Sequence, residues 1–145
     1  MSYISTNDAR IDHQIETLIS FSNYTSYDMR IATTGLCGTF ALALYRYLIA
    51  NNIDAKLALF HHMHGEPWDS WRHVAVKVGD NYYDIRGRID ITKAHQYFFT
   101  SHIYSTNDEE KLFEDLKLLT KKCSTHWDSR RYNMYMRRCN QIGLK

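Results

Sequence analysis

The sequence predicts an α+β fold, with helices first, a small antiparallel sheet in the middle and helices again at the end. Three observations carry this. Apolar residues recur at helical spacing over residues 7–21 and again from Gly35 to Asn52. The period then shortens to alternation between Ala55 and Ile85. Helical spacing returns after Asn107. The chain has 145 residues, 44% of them apolar, and one proline, Pro67. That suits one domain, 1–145, with material for a real core, and it excludes a disordered chain. No repeat, low-complexity stretch or linker divides it.

In residues 7–21, Ile11, Ile15, Leu18 and Ile19 fall on one helix face, and Asn7 or Asp8 can cap the start. Residues 22–34, SNYTSYDMRIATT, are polar and read as a loop. The second helix follows Gly35: Phe40, Ala41, Leu44 and Leu48 share a face and Asn51-Asn52 ends it. Ala55–Phe60 reads as a strand, and residues 61–72, HHMHGEPWDSWR, as an irregular loop. His73–Val78 and Asn81–Ile85 are two β-rich runs around Gly79-Asp80, a two-residue hairpin loop of the type II′ kind. Residues 91–98 suit a short helix and His102–Tyr104 a strand. Asn107 then caps a helix carrying Leu112, Phe113, Leu116 and Leu119. A last helix, about 127–140, carries Tyr132, Met136 and Cys139 beside four arginines.

Composition narrows the function classes. Three cysteines make no paired disulfide framework. No run approaches the ~20 apolar residues of a membrane span, and the start, MSYISTNDARIDHQ, has no apolar leader core. A reducing, cytoplasmic setting is the expectation. Residues 1–116 carry 10 Lys/Arg against 15 Asp/Glu, whereas residues 117–145 carry 8 against 1. A basic tail attracts phosphates, or the acidic part of its own chain.

The segment TTGLCGTFALALYRYL places Cys37 where a loop becomes a helix. The unpaired N–H groups and dipole there favour a thiolate. Gly35 and Gly38 on either side leave room for a substrate near the sulfur. The alternative is a small buried hydrophobe, the common state of a free cysteine. Parity in the hairpin adds two residues. With Gly79-Asp80 as the loop, Val78 faces Asn81 and Ala75 faces Asp84. One face then holds Val74, Val76, Val78, Tyr83 and Ile85, a core face. The other holds His73, Ala75, Lys77, Tyr82, Asp84 and Arg86. His73 and Asp84 become diagonal neighbours, with Cβ atoms roughly 7 Å apart. A solvated pair on an open face is the competing reading.

A Cys at a helix start, a His on a strand and an Asp on the next strand give a nucleophile, a base and an orienting carboxylate in chain order. The runs GLCGTFALAL and RHVAVKVGDNYYDIRG, within residues 35–88, resemble the transglutaminase-like branch of the papain-fold cysteine enzymes. The resemblance implies a papain-like core over about 35–105, with a nucleophile helix packed on a small antiparallel sheet. The basic helical segment 107–145 would be an addition to that core. It implies Cys37 as nucleophile, His73 as general base and acid, and Asp84 as the carboxylate that orients it. The implied activity is that of a thiol protease, amidase, deamidase or acyl transferase acting on a protein or peptide-like amide or a thioester, without cofactor or metal. Inactive relatives share the core, so a binding module is also implied. The small size resembles effector, toxin or phage-type members. Papain has a Gln shortly before its nucleophile. DMRIATTGL has none, which leaves the oxyanion to the Cys37 backbone N–H and a second donor such as Trp71 or a loop amide.

Other candidates are less complete. His61, His62 and His64, with Glu66 or Asp69, suit a metal in principle but form no complete motif. Cys123, His126 and Cys139 supply three of four zinc ligands, and helical spacing explains Cys139 as packing. Arg130, Arg131, Arg137 and Arg138 form two pairs seven residues apart on one helix side. They could touch nucleic acid, or serve as a solvated face or internal partner for Asp108, Glu109 and Glu110.

Overall fold

The computed structural model describes residues 9–61, 71–93, 102–122 and 126–144. Helix α1 spans Ala9–Phe21, α2 Ser26–Ala32 and α3 Cys37–Ala50. Strands β1 (Lys56–His61), β2 (Trp71–Val78), β3 (Asn81–Asp84) and β4 (Gly87–Arg88) follow. After a single 3-10 turn at Ile91–Lys93 come β5 (His102–Thr106), α4 (Glu109–Lys122) and α5 (Ser129–Ile142). The five strands form one antiparallel sheet in the order β4-β3-β2-β1-β5. The α+β class read from the sequence is the class observed.

Helix α3 organises the rest. The expectation of a one-sided amphipathic helix is too modest, because 11 of its 14 residues are buried. A helix apolar all round must be covered all round. The sheet covers it with Leu57, Leu59, Val74, Val76 and Val78, while Leu112 and Leu116 of α4 and Tyr135 and Cys139 of α5 join the same core. Tyr24, Phe40 and Tyr135 meet edge to face, with ring centroids 5.1 to 5.8 Å apart. Each such pair adds about 0.5–1.5 kcal/mol beyond its burial.

Glycine at position 38 has a packing reason rather than the substrate clearance expected from sequence. A Cβ there would lie 2.5 Å from a terminal methyl of Leu116, which is itself fully buried. Gly38 lets α4 close onto the first turn of α3. Thr39 adds a bond from its hydroxyl to the His126 carbonyl at 2.7 Å, fastening the chain before α5 to the same turn.

Two local expectations are corrected, and a third is described only in part. Residues 22–34 are not all loop, because they contain α2. Thr25 accepts from the Asp28 N–H and Asp28 accepts from the Thr25 N–H, both at 3.0 Å. This reciprocal capping box offsets the polar composition that suggested a loop. Asn107 does not cap α4. Its amide bonds the Tyr45 hydroxyl and the Ala55 carbonyl, and Asp108 receives the Lys111 N–H instead. The described part of 91–98 is only the 3-10 turn; the rest lies outside the described residues.

The hairpin register is the one parity required: Val78 pairs with Asn81, Lys77 with Tyr82 and Val76 with Tyr83. Gly79 takes the positive φ, 61°, that a type II′ turn needs first. The face with Val74, Val76, Val78, Tyr83 and Ile85 lies in the core, as expected. The opposite face is not open. Ala58, Phe60 and Ala75 form a second apolar cluster there, flanked by Tyr82, Ile89, Ile91 and Ile103.

The Gly38–Leu116 contact makes a coupled prediction. Gly38→Ala should lower stability by about 1–2 kcal/mol, overpacking outweighing the gain in helix propensity. In a Leu116→Ala background the same change should cost less than it does alone, as read by urea denaturation of the two single variants and the double variant.

Candidate active site

Cys37 is the first residue of α3. Its N-cap, Leu36, places no side chain on the first-turn amides. His73 is the third residue of β2 and Asp84 the last of β3. The structure brings the three together. His73 Nε2 lies 3.0 Å from Asp84 Oδ2, and the Cys37 thiol lies near enough to the imidazole to raise its basicity. The relative exposures are 1% for Cys37, 0% for His73 and 1% for Asp84. A solvated surface pair is therefore excluded.

The strand pairing explains the placement. Phe60 and His73 are partners across β1 and β2, and their rings meet edge to face at 5.7 Å. Phe60 in turn meets Tyr82 at 5.8 Å, so aromatic surface holds the imidazole plane. Asp84 stands one residue beyond the last β2–β3 pair, Val76 with Tyr83. It is the diagonal position that the register implies. In a serine-protease triad the carboxylate holds Nδ1 and leaves Nε2 for the nucleophile. Here Asp84 holds Nε2 instead.

Burial alone would make the imidazole less basic. The hydrogen bonds and charges of Asp84 and Cys37 outweigh it and push His73 up to about 9. Burial likewise opposes the Asp84 carboxylate, but hydrogen bonds from His73 and Arg86, together with their charges, hold it below the usual carboxylate range. The carboxylate is fully engaged. Oδ1 accepts from the Arg86 N–H at 2.8 Å and from Arg86 Nε at 3.3 Å. Oδ2 accepts from Arg86 Nη2 at 2.6 Å and meets His73. Arg86 shares the polar face of the hairpin with His73 and Asp84, and its role is one that face-sharing alone does not reveal. The readable signal is its place two residues after Asp84, where a side chain returns to the same side.

Helix α1 steadies this end of the sheet. Asp12 accepts from the Tyr83 hydroxyl at 2.5 Å and from Arg88 at 3.3 Å, and Glu16 accepts the Arg88 N–H. Gly87, at φ 104°, passes close to Glu16; a Cβ there would lie 3.1 Å from Oε1.

The other sequence candidates separate from this cluster. His62, His64, Glu66, Asp69 and Cys123 lie outside the described residues, as do the side chains of His61 and Trp71. Among the described residues no group of His, Cys, Asp and Glu could hold a metal ion. Cys139 packs in the core, and burial pushes its thiol up to about 12. The four arginines of α5 divide. Arg131 pairs with Asp28, and Arg138 lies 3.9 Å from the same carboxylate and bonds the Ser22 carbonyl at 3.2 Å. Arg130 and Arg137 are exposed. The internal partner is thus Asp28, not Asp108, Glu109 or Glu110; Glu109 instead pairs with Arg46 at 2.8 Å. No described helix is long and apolar enough to cross a membrane.

The raised basicity of His73 fixes a pH dependence. A group more basic in the folded state stabilises fully below its unfolded value, ~6.5, and loses that contribution as pH rises through the folded value of about 9. Asp84 acts on the opposite limb: its contribution is present at neutral pH and lost in acid. Urea denaturation between about pH 6 and about pH 10 should show the wild type losing about 2–3 kcal/mol relative to His73→Gln. Parallel curves for the two proteins would contradict the protonated, paired imidazole.

No family model matches the chain, and no curated protein or solved structure matches it either.

Proposed function

We propose that the protein is a cysteine-dependent hydrolase or acyl transferase with a papain-like, transglutaminase-like core. The observation that carries this reading is the meeting of Cys37, His73 and Asp84 in one buried cluster. An imidazole that favours its protonated form beside a thiol supports a thiolate–imidazolium pair.

In this reading the Cys37 thiolate attacks the carbonyl carbon of an amide or thioester. The carbonyl electrons move to oxygen, where the Cys37 backbone N–H at the start of α3 can donate. Collapse of the intermediate expels the leaving amine or thiol, which takes a proton from His73. The acyl group stays on sulfur. His73, now neutral, removes a proton from water or from an acceptor amine, which attacks the thioester and returns the thiolate. Asp84 keeps the Nε2–H directed at itself, so the Nδ1 edge is the one that exchanges protons with Cys37 and substrate. Because Cys37 is buried, the acyl donor enters only when covering residues move aside. The same closure excludes bulk water from the acyl-enzyme.

Engagement of Arg131 and Arg138 with Asp28 leaves the paired basic stripe incomplete. This favours the enzyme reading over a nucleic-acid surface on α5.

The test is capture of the acyl-enzyme. A small activated ester, 4-nitrophenyl acetate, should leave one acetyl group on the peptide carrying Cys37, read by mass spectrometry. Cys37→Ala should abolish it. Asp84→Asn should slow it on the order of 10²–10⁴-fold, because the asparagine amide no longer holds the imidazole in its charged, oriented state. Acetylation spread over lysines, or unchanged by either substitution, would point to a binding module that keeps the fold without chemistry.

A further inference from the structure

We propose that Arg86 is a positioning residue of this site, holding the Asp84 carboxylate in the orientation and ionised state that His73 requires. The inference rests on the cysteine-enzyme reading and deepens it by one residue.

Local geometry comes first. Asp84 ends β3 and pairs with Gly87 of β4, so Ile85 and Arg86 form a two-residue turn. Ile85 is buried in the main core and anchors that turn. The Arg86 N–H bonds back to Asp84 Oδ1 at 2.8 Å, the local closure that aspartate favours in turns. The side chain then folds over the same carboxylate, Nε to Oδ1 at 3.3 Å and Nη2 to Oδ2 at 2.6 Å. A two-point fork fixes a carboxylate plane in a way that a single contact does not. Oδ2, which meets His73 Nε2 at 3.0 Å, is one of the two oxygens so fixed.

Charge gives the second argument. In the reactive form the cluster holds a Cys37 thiolate from α3, a His73 imidazolium from β2 and an Asp84 carboxylate from β3. These are two anions against one cation in the interior. The β1 neighbour of the imidazole is Phe60, which carries no charge. Buried net charge is costly, and a protein relieves it by taking up a proton. Arg86 supplies the missing positive charge. Its side chain is 44% exposed, whereas that of Asp84 is 2% exposed. The guanidinium therefore keeps much of its hydration while neutralising a carboxylate that has almost none. It lines a cleft of about 340 Å³ with Glu16, Tyr24 and Met29.

The test compares wild type, Arg86→Gln and Arg86→Lys by the rate of Cys37 alkylation with iodoacetamide against pH, with thermal melting to confirm folding. Arg86→Gln should move the acid limb of Cys37 reactivity upward by about one pH unit or more, because the cluster loses the cation that offsets its second anion. Arg86→Lys should keep the limb near its wild-type position but lower the plateau rate, because charge is retained and the fork is lost. A turn staple with no part in the site would lower the melting temperature and leave both profiles unmoved, which would overturn the proposal. Should Arg86→Gln not fold, Arg86→Lys decides alone: a lowered plateau supports the proposal and a wild-type plateau overturns it. Absence of an acetyl-Cys37 adduct in the wild type would instead defeat the cysteine-enzyme reading. Arg86 is then judged by NMR titration of the His73 ring. A midpoint that falls in Arg86→Gln supports the role, because the carboxylate no longer serves the ring, and a coincident or raised midpoint overturns it.

Discussion

Helix α3 has almost no solvent face, and the positions of the other elements follow from that. A helix so apolar must be enclosed, and no single layer encloses it. The sheet covers one side, α4 and α5 cover others, and α2 closes near its start. The enclosure has a chemical consequence. Cys37 stands at the N-terminal end of that helix, so covering the helix also removes the thiol from water. A cysteine on a half-exposed helix would have met solvent instead of an imidazole.

Once the thiol, imidazole and carboxylate lie together in the interior, electrostatics constrains everything around them. Asp84 tolerates its burial because four hydrogen bonds reach its two oxygens. His73 tolerates its own because the Asp84 carboxylate meets Nε2 and favours the charged ring. Removing one member of such a set leaves the others with uncompensated desolvation, which costs more than the lost contact itself. The turn from Asp84 to Gly87 is thus both the end of a strand and the support of a charged group. Helix α1, fastened to Tyr83 and Arg88, keeps that turn in place.

The uneven charge along the chain resolves by the same rule. The basic end does not stand away from the acidic body, because α5 packs on α3 through Tyr135 and Cys139. That packing brings Arg131 and Arg138 onto Asp28. Asp28 is already the acidic member of the α2 capping box, and these bonds, with the two arginines, keep its carboxylate below the usual range despite its burial. One side chain starts a helix and receives another helix. Arg46 does similar work elsewhere, bonding Glu109 and Tyr132 while its guanidinium lies over the Phe113 and Tyr132 rings.

Local sequence settled what depends on period and turn chemistry. Helix α3, the Gly79-Asp80 hairpin and its register are legible because a pleated strand alternates faces and a two-residue loop admits one pairing. The diagonal relation of His73 and Asp84 follows from that register, and Cys37 at a helix start from the change of pattern at Gly35. Other features depend on what lies across the fold, and no local pattern holds that. The burial of the His73 face required the apolar cluster around Phe60. The role of Gly38 required Leu116, 78 positions away in the chain. The partner of Arg131 required Asp28, and α2 emerged from a polar stretch because its capping box was satisfied. The sequence by itself determined which residues share a face and in what order the reactive groups occur. Only the tertiary structure decided that they meet away from water, because burial is a property of what covers a surface, and the covering elements come from distant parts of the chain.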